Sequence, residues 1–242
     1  MAFQLSYNIN CFIRALAAIN NAANSRMFYV FKLLSADKQI IMKIRDSGMP
    51  PEEMWITFFD TEFILSELGI DKNIKDAAEF GSGYGTFSIP AAKIITGILY
   101  AIDVEPGMIK SLRNKTAERN ISNIKVIETD FVTQGTGLND NSIDYVMLFN
   151  ILHSEEPVKL LNEAKRILRQ NGKAGIIHWN YDPSTPRGPS MEIRPRPEQC
   201  KNWIEQAGFK IDKYPFPIPP YHYGIVGIKK NLKNEKNNKG KQ

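Results

Sequence analysis

From about residue 55 the chain alternates short apolar runs with longer segments in which apolar residues recur at helical spacing. ITFFDTEFILSELGI (56–70) has the helical period and stops at Gly69, a residue type that commonly ends helices. IKDAAEF (74–80) reads as a strand running into a glycine-rich turn. FSIPAAKII (87–95) reads as the helix that follows, with Pro90 tolerated only in its first turn. GILYAID (97–103) is a buried strand ending in an acid, PGMIKSLRNKTAERN (106–120) an amphipathic helix, and IKVIETD (124–130) another strand ending in an acid. SIDYVMLFN (142–150) is a fourth strand, PVKLLNEAKRILRQNG (157–172) a helix capped by glycine, and KAGIIHWN (173–180) a fifth strand. RPEQCKNWIEQAG (196–208) is one more helix, and FKIDKYPFPI (209–218) and YGIVGIKK (223–230) are two final strands.

Strands separated by helices of this length predict right-handed βαβ units and a parallel sheet. The proline-rich link between the last two strands cannot hold a crossover helix, so that pair is expected to be an antiparallel hairpin. The expected fold is α/β: a doubly wound, Rossmann-like sheet of seven strands, mostly parallel, with a C-terminal antiparallel hairpin. The prolines at 183–197 mark a long loop after the fifth strand, not a domain boundary. The expected organisation is an N-terminal extension over 1–48, one domain over 49–230 and a basic tail over 231–242.

Composition narrows the function classes. A hydrophobic content of 43% with 24% charged residues describes an ordinary globular chain. The net charge is +5, but residues 229–242 hold six lysines against one glutamate, which leaves the rest near neutrality. The tail has Leu232 as its one apolar residue and reads as solvated. A near-neutral body makes nucleic acid a poor partner. Cys11 and Cys200 belong to no CxxC or His/Cys cluster. They predict neither a metal site nor a disulfide framework, and fit a reducing, cytoplasmic setting. No apolar run approaches the roughly 18 residues of a membrane span. Residues 1–36 carry Arg14, Arg26 and Lys32 and no acid, and Arg14 and Lys32 interrupt the apolar stretches. That makes a poor signal peptide and leaves a helical appendage or a start-site extension as the expectation.

The chemistry centres on AEFGSGYGTFSIP (78–90). In an open α/β sheet, ligands lie beyond the C-terminal strand ends where the strand order reverses, usually at the first strand-to-helix turn. Gly81 and Gly83 would let the backbone turn tightly and approach a ligand with no Cβ between them. Asp103 ends the second strand, where a carboxylate can accept two hydrogen bonds from a ribose diol, on the order of 1.5–3 kcal/mol each. Two features point away from a nicotinamide dinucleotide. The GxGxxG spacing needs glycine at 86, and Thr86 stands there. Glu79, at the head of the loop, would repel a pyrophosphate by roughly 1–4 kcal/mol and attract an ammonium group instead. An adenosine joined to an amino acid satisfies both ends, which describes S-adenosylmethionine.

EFGSGYG (79–85) resembles the first motif of class I S-adenosylmethionine-dependent methyltransferases, with its acid-x-Gly-x-Gly-x-Gly pattern intact. YAIDVEPGMI (100–109) is similar to their second motif and implies Asp103 as the ribose acid, with Val104 and Met108 near the cofactor. ETDF (128–131) matches the third, which implies that Asp130 and Phe131 flank the adenine. NSIDYVMLFNILH (141–153) resembles the fourth strand and its exit in the small-molecule, type 11/25-like branch. LLNEAKRILRQNGKAGIIHW (160–179) resembles that branch's helix and fifth strand, with Gln170–Asn171 where a basic residue and proline are usual. The resemblance spans about residues 56–230. It implies cofactor contacts from Glu79, Gly81, Ser82, Gly83, Gly85, Asp103, Val104, Met108, Asp130, Phe131 and Asn150. For Asn150 a plain turn-forming role stands equally.

The expected activity is methyl transfer from S-adenosylmethionine to an O, N, S or C nucleophile of a small molecule. The donor is already activated, so the protein mainly positions and desolvates, and a base is needed only if the nucleophile must lose a proton. His153 is the candidate base. His178, Trp179 and Trp55 are candidate pocket-lining residues, and Arg187, in a stiff proline-rich loop, is a candidate anchor for an anionic substrate. MPPEEMWITFFD (49–60) could close over the cofactor or simply pack its aromatics on the sheet. His222 is expected in an exposed turn. The rivals are a nicotinamide oxidoreductase and a nucleoside-binding scaffold without turnover.

Overall fold

The computed structural model describes residues 49–230. The extension over 1–48, with Cys11, and the tail over 231–242 lie outside the described residues. In chain order the elements are α1 (Glu52–Trp55), a 3-10 turn (Ile56–Phe58), α2 (Thr61–Glu67), β1 (Ala77–Phe80), α3 (Ser88–Ile94), β2 (Leu99–Asp103) and α4 (Pro106–Glu118). There follow β3 (Ile124–Glu128), β4 (Ile143–Phe149), α5 (Pro157–Ile167), β5 (Leu168–Trp179), α6 (Pro197–Gln206), β6 (Lys210–Ile218) and β7 (His222–Ile228).

The seven strands form one sheet in the order β3-β2-β1-β4-β5-β7-β6. β3, β2, β1, β4 and β5 pair in parallel, and β7 runs antiparallel between β5 and β6. Strands covered on both faces lose the polar alternation of a half-exposed strand. β1 and β7 are buried at every position, whereas the edge strand β3 is buried at none. One face carries Ile64 and Leu65 of α2, Ile89 and Ala91 of α3 and Leu112 of α4; the other carries Leu161 and Ala164 of α5 and Ile204 of α6. The chain leaves β1 outward through β2 and β3 and returns to β4 on β1's other side. The reversal falls between β1 and β4, where such sheets bind ligands.

Three expectations are corrected. The helix over 56–70 begins only at Thr61, because the Asp60 side chain accepts the Phe63 N–H at 3.0 Å and fixes the start. The helix over 157–172 ends at Ile167. Leu168 pairs with Ile143, the Asn171 N–H bonds the Lys229 carbonyl at 2.9 Å, and the Lys229 N–H bonds Gly172, so neighbouring strands draw 168–172 into β5. Asn171 (φ +63) takes the left-handed position there, and a Cβ on Gly172 would meet the Arg169 and Asp144 carbonyls at 2.9 and 3.0 Å. His222 is 1% exposed rather than solvated, because β7 is an inner strand.

No helix spans 129–142 between β3 and β4. The loop is held by Glu163 of α5, which accepts the Thr136 N–H at 2.8 Å and hydroxyl at 2.7 Å and two N–H bonds from Arg166. Arg166 in turn bonds Asp140 and the Leu138 carbonyl. These partners, Arg166 first, pull the Glu163 carboxyl down to about 2. A depressed carboxyl stabilises the fold above its unfolded pKa near 4.5 and loses that contribution as pH falls toward 2. Glu163→Gln is therefore expected to cost roughly 2 kcal/mol at pH 7 and almost nothing at pH 2, read by urea unfolding at both.

Candidate active site

The glycine loop starts at the end of β1 and is tied to β2 by two bonds into one carbonyl, Gly81 N–H at 2.8 Å and Ser82 N–H at 3.0 Å to Ile102. Gly81, Gly83 and Gly85 all have positive φ, at +74°, +51° and +79°. A Cβ on Gly85 would run into the Leu112 side chain of α4, so this glycine serves close packing of the helix beneath. Gly85→Ala is expected to lower stability by about 2 kcal/mol from overpacking and left-handed strain, measurable as a reduced melting temperature. The sides of the other two glycines are taken by protein: Ile151 Cγ2 and Met49 Sδ would each lie 3.0 Å from a Cβ on Gly81 and Gly83, respectively. Met49 and Ile151 thus belong to the loop's surroundings, and no motif in the sequence marks them. Tyr84 adds a bond from its hydroxyl to the Pro50 carbonyl at 3.2 Å.

Two acids flank the loop. Glu79 is 2% exposed and accepts a hydrogen bond from the Ser88 hydroxyl at the start of α3, whose backbone N–H also favours its charged form. Burial pushes its carboxyl up to about 8, the Ser88 bonds oppose this, and Asp103 adds a smaller push. The sequence expectation treated Glu79 as simply charged; without a cation beside it the group is mostly neutral at pH 7. Asp103 is also raised by burial. It accepts the Gly83 N–H at 2.7 Å and the Glu105 N–H at 2.9 Å, joining the end of β2 to the glycine loop. A carboxylate has about four lone-pair sites, so both of its oxygens keep accepting capacity.

Val104 is half-buried just beyond β2, and Met108 is buried in the first turn of α4. Asp130 Oδ1 closes the turn after β3 by accepting from Val132 and Thr133 at 3.2 Å each. Phe131 lies against Phe80, with ring centroids 5.4 Å apart. Asn150, at the end of β4, has φ +56°, and both polar atoms of its amide are buried without a hydrogen-bond partner. The Ser82 and Thr86 hydroxyls are orphaned in the same way. All of these residues sit at or just beyond the C-terminal ends of β1 to β4, around the reversal point. Buried polar atoms without partners are rare, and here they cluster on the loop that would face a ligand.

The candidate substrate residues divide. His153 lines a pocket of about 640 Å³ between the loop after β4 and the loop after β5, together with Tyr181, Arg196 and Trp203. Its Nδ1 lies 3.3 Å from Nε2 of His178, which is fully buried. Burial lowers His153 to about 4, and His178 well below its usual value. A group this acidic is a weak base at neutral pH, which argues against His153 as the general base. Trp179 is 2% exposed and packs on Phe58, Tyr221 and His222. Trp55 is half-buried, 4.9 Å from Phe59, which is itself buried against Phe87. Segment 49–60 therefore packs aromatics on the sheet. Arg187 is exposed and reaches Met54 Sδ at 3.8 Å. In the sequence Arg194 shares its proline-rich loop with Arg187 and Arg196, and nothing there sets it apart. It is buried and bonds the carbonyls of Asn180, Asp182, Arg187 and Pro189 and the Thr185 hydroxyl, so the loop folds around its guanidinium.

Residues 78–176 match the family model described as a methyltransferase domain, a span that includes the glycine loop, Asp103 and β4. The chain is 27% identical over 150 residues to aklanonic acid methyltransferase of a Streptomyces species, covering 53% of this chain and 67% of that protein. It is 25% identical over 167 residues to an uncharacterized methyltransferase-like protein of Schizosaccharomyces pombe, covering 69% of this chain and 53% of that one. The chain thus spans about half to two thirds of these relatives' lengths. A crystal structure of a SAM-dependent methyltransferase from Aquifex aeolicus has the same fold, with a TM-score of 0.66 and 24% identity, over 77% of this chain and 96% of that one. The matched span and the shared fold are those of S-adenosylmethionine-dependent methyltransferases, to which this chain is similar.

A structure of the same fold, the phosphoethanolamine N-methyltransferase 2 of Haemonchus contortus (TM-score 0.61, 16% identity, over 73% of this chain and 56% of that one), holds S-adenosyl-L-methionine, and the donor set of the present site fits that molecule. A buried carboxyl that burial, with a smaller push from Asp103, keeps neutral gains its charge back when an ammonium group settles beside it. A strand-end carboxylate with unused lone pairs suits a ribose diol. The orphaned Ser82, Thr86 and Asn150 groups offer donors and acceptors for the amino-acid portion.

Proposed function

We propose that residues 49–230 form a methyltransferase domain that transfers a methyl group to a small-molecule acceptor bound between the loops after β4 and β5. The observation that carries this is the pair of flanking carboxyls, one buried beside Ser88 and one bonded to Gly83, with unpartnered polar groups between them. In this reading Glu79 meets the donor's ammonium group and Asp103 its ribose. Gly81, Ser82, Gly83 and Gly85 shape the loop, and Val104, Met108, Asp130 and Phe131 border the adenine. Asn150 turns its amide to the amino-acid end. S-adenosylmethionine supplies an electrophilic methyl carbon on a sulfonium. The acceptor's lone pair forms the new bond to that carbon, the carbon–sulfur bond breaks, and S-adenosylhomocysteine leaves neutral at sulfur. The chain aligns the partners and excludes water.

Of the substrate residues, His153 faces the pocket and His178 stands behind it, whereas Trp179 and Trp55 pack with Phe58 and Phe59 on the other face of the sheet and Arg187 is exposed in the loop after β5. The Streptomyces relative is named for an organic acid, which suits a small-molecule acceptor here too. A near-neutral body argues against nucleic acid. Among the described residues no helix is long and apolar enough to cross a membrane, and cysteine usage suits the cytoplasm. Calorimetric titration is expected to show binding of S-adenosylhomocysteine and none of NAD; the opposite result returns the oxidoreductase reading. A labelled-methyl assay over a panel of small carboxylates, phenols, amines and thiols is expected to label one class. Nucleoside binding with no label anywhere favours the scaffold.

A further inference from the structure

We propose that the pocket beside His153 takes a planar acceptor through a carboxylate or other carbonyl-type oxygen, which His153 meets as a neutral N–H donor positioned by His178. The pocket's purpose rests on the methyltransferase reading above; its chemistry rests on the histidine pair. One loop links the two sites. Ile151 packs at Gly81, while His153, Ser154 and Glu155 line the pocket, so an acceptor held there lies next to the donor loop.

The proton on the histidine pair decides what His153 offers. One of the facing nitrogens, His153 Nδ1 or His178 Nε2, must carry the hydrogen. His178 is fully buried, and its other nitrogen, Nδ1, has no hydrogen-bond partner. The nearby Trp179 backbone favours a protonated ring but makes no hydrogen bond to Nδ1. If His153 donated, neutral His178 would carry its proton on that orphaned Nδ1. A buried N–H without an acceptor is rarer and costlier than an unused lone pair. His178 therefore donates from Nε2, and the proton of His153 sits on its own Nε2, the nitrogen left for the pocket. His153 is thereby a donor and not a base.

The rest of the pocket agrees. The Ser154 hydroxyl is buried without a partner. The Arg196 guanidinium lies 3.7 Å over the Tyr181 ring. The Gln199 carbonyl oxygen accepts from the Arg196 backbone, which leaves its NH2 group as a donor. Tyr181 and Trp203 give flat walls. Glu155 and Glu192 are the acids of the lining, and both are exposed, where charges are worth little. His153 and Ser154 are the inner polar groups, while Arg196, Gln199, Glu155 and Glu192 are all exposed and screened, so the inner donors favour an oxygen acceptor group over a cation.

The test uses the full chain labelled with nitrogen-15, with salicylate as probe and benzylamine as its cationic counterpart. Long-range proton–nitrogen correlation spectra read the tautomer of each of the three histidines, and His153→Gln assigns the pocket resonance. The expected result is an Nε2–H tautomer at His153 whose Nε2 resonance moves with salicylate and stays put with benzylamine. His153→Leu, which leaves no donor at this position, is expected to weaken salicylate about tenfold, the worth of one charged hydrogen bond. In His178→Leu the His153 tautomer should become mixed, with a smaller loss of salicylate affinity, about twofold for an even mixture. If that variant does not fold, the wild-type tautomer and probe shifts decide alone. An Nδ1–H tautomer at His153, a benzylamine response in place of the salicylate one, or silence toward both overturns the proposal. S-adenosylhomocysteine titrated into the same sample separates the two readings: nucleoside binding with a silent salicylate removes this inference only, and absent nucleoside binding removes the methyltransferase reading.

Discussion

Asp103→Ala is expected to weaken S-adenosylhomocysteine binding by roughly a hundredfold to a thousandfold, the loss of two charge-assisted hydrogen bonds to a ribose diol. The carboxyl is 8% exposed, so any bond it makes is shielded from competing water. Its bonds to Gly83 and Glu105 hold the donor loop against β2, and a loosened loop adds to the loss. Asp103→Asn keeps an acceptor oxygen and should lie between the two. Calorimetric titration gives the affinities, and melting temperatures of the free variants show how much is loop stability. An Asp103→Ala protein that binds the nucleoside as tightly as wild type would remove the ribose role.

The second large effect is at Glu79. Glu79→Ala removes the buried partner of the ligand's ammonium group, and breaking such a pair costs about 2–5 kcal/mol, part of it the penalty of a stranded charge. At pH 7 the wild type first gives up the proton that burial holds on Glu79, so the net loss is smaller by about 1.4 kcal/mol. The expectation at pH 7 is roughly a thirtyfold loss of nucleoside affinity. It should widen toward pH 8.5, where the wild-type carboxyl is already ionised. The Ser88 bonds at the start of α3 also disappear, so Glu79→Gln, which keeps an acceptor for Ser88, separates helix support from ligand charge.

The sheet was legible because its signals are local. Continuous apolar runs such as DYVMLF in β4 belong to strands covered on both faces, and Asp103 ends β2 as expected, whereas β3 stops at Glu128 and leaves Asp130 in the turn beyond it. The end of α5 was not legible, because the amphipathic period runs on through RILRQNG while the pull of β4 and β7 on 168–172 is non-local. His222 reads as a turn residue until β7 is known to lie between β5 and β6. In the site, residue types were legible and their states were not. Nothing in GSGYG shows that Glu79 is buried enough to hold a proton, nor that His178 stands behind His153. Arg194 looked like one of three loop arginines, and only the folded loop shows its carbonyl partners.

The most direct measurement is the number of protons exchanged when S-adenosylhomocysteine binds, read by calorimetry at pH 7 in buffers of different ionisation heat. With Glu79 free at about 8 and ionised beside the ligand's ammonium group, the wild type should release about one proton per site, and Glu79→Gln none. Equal heats in every buffer, with unchanged affinity in Glu79→Gln, would show that the carboxyl beside Ser88 takes no part in holding the ligand.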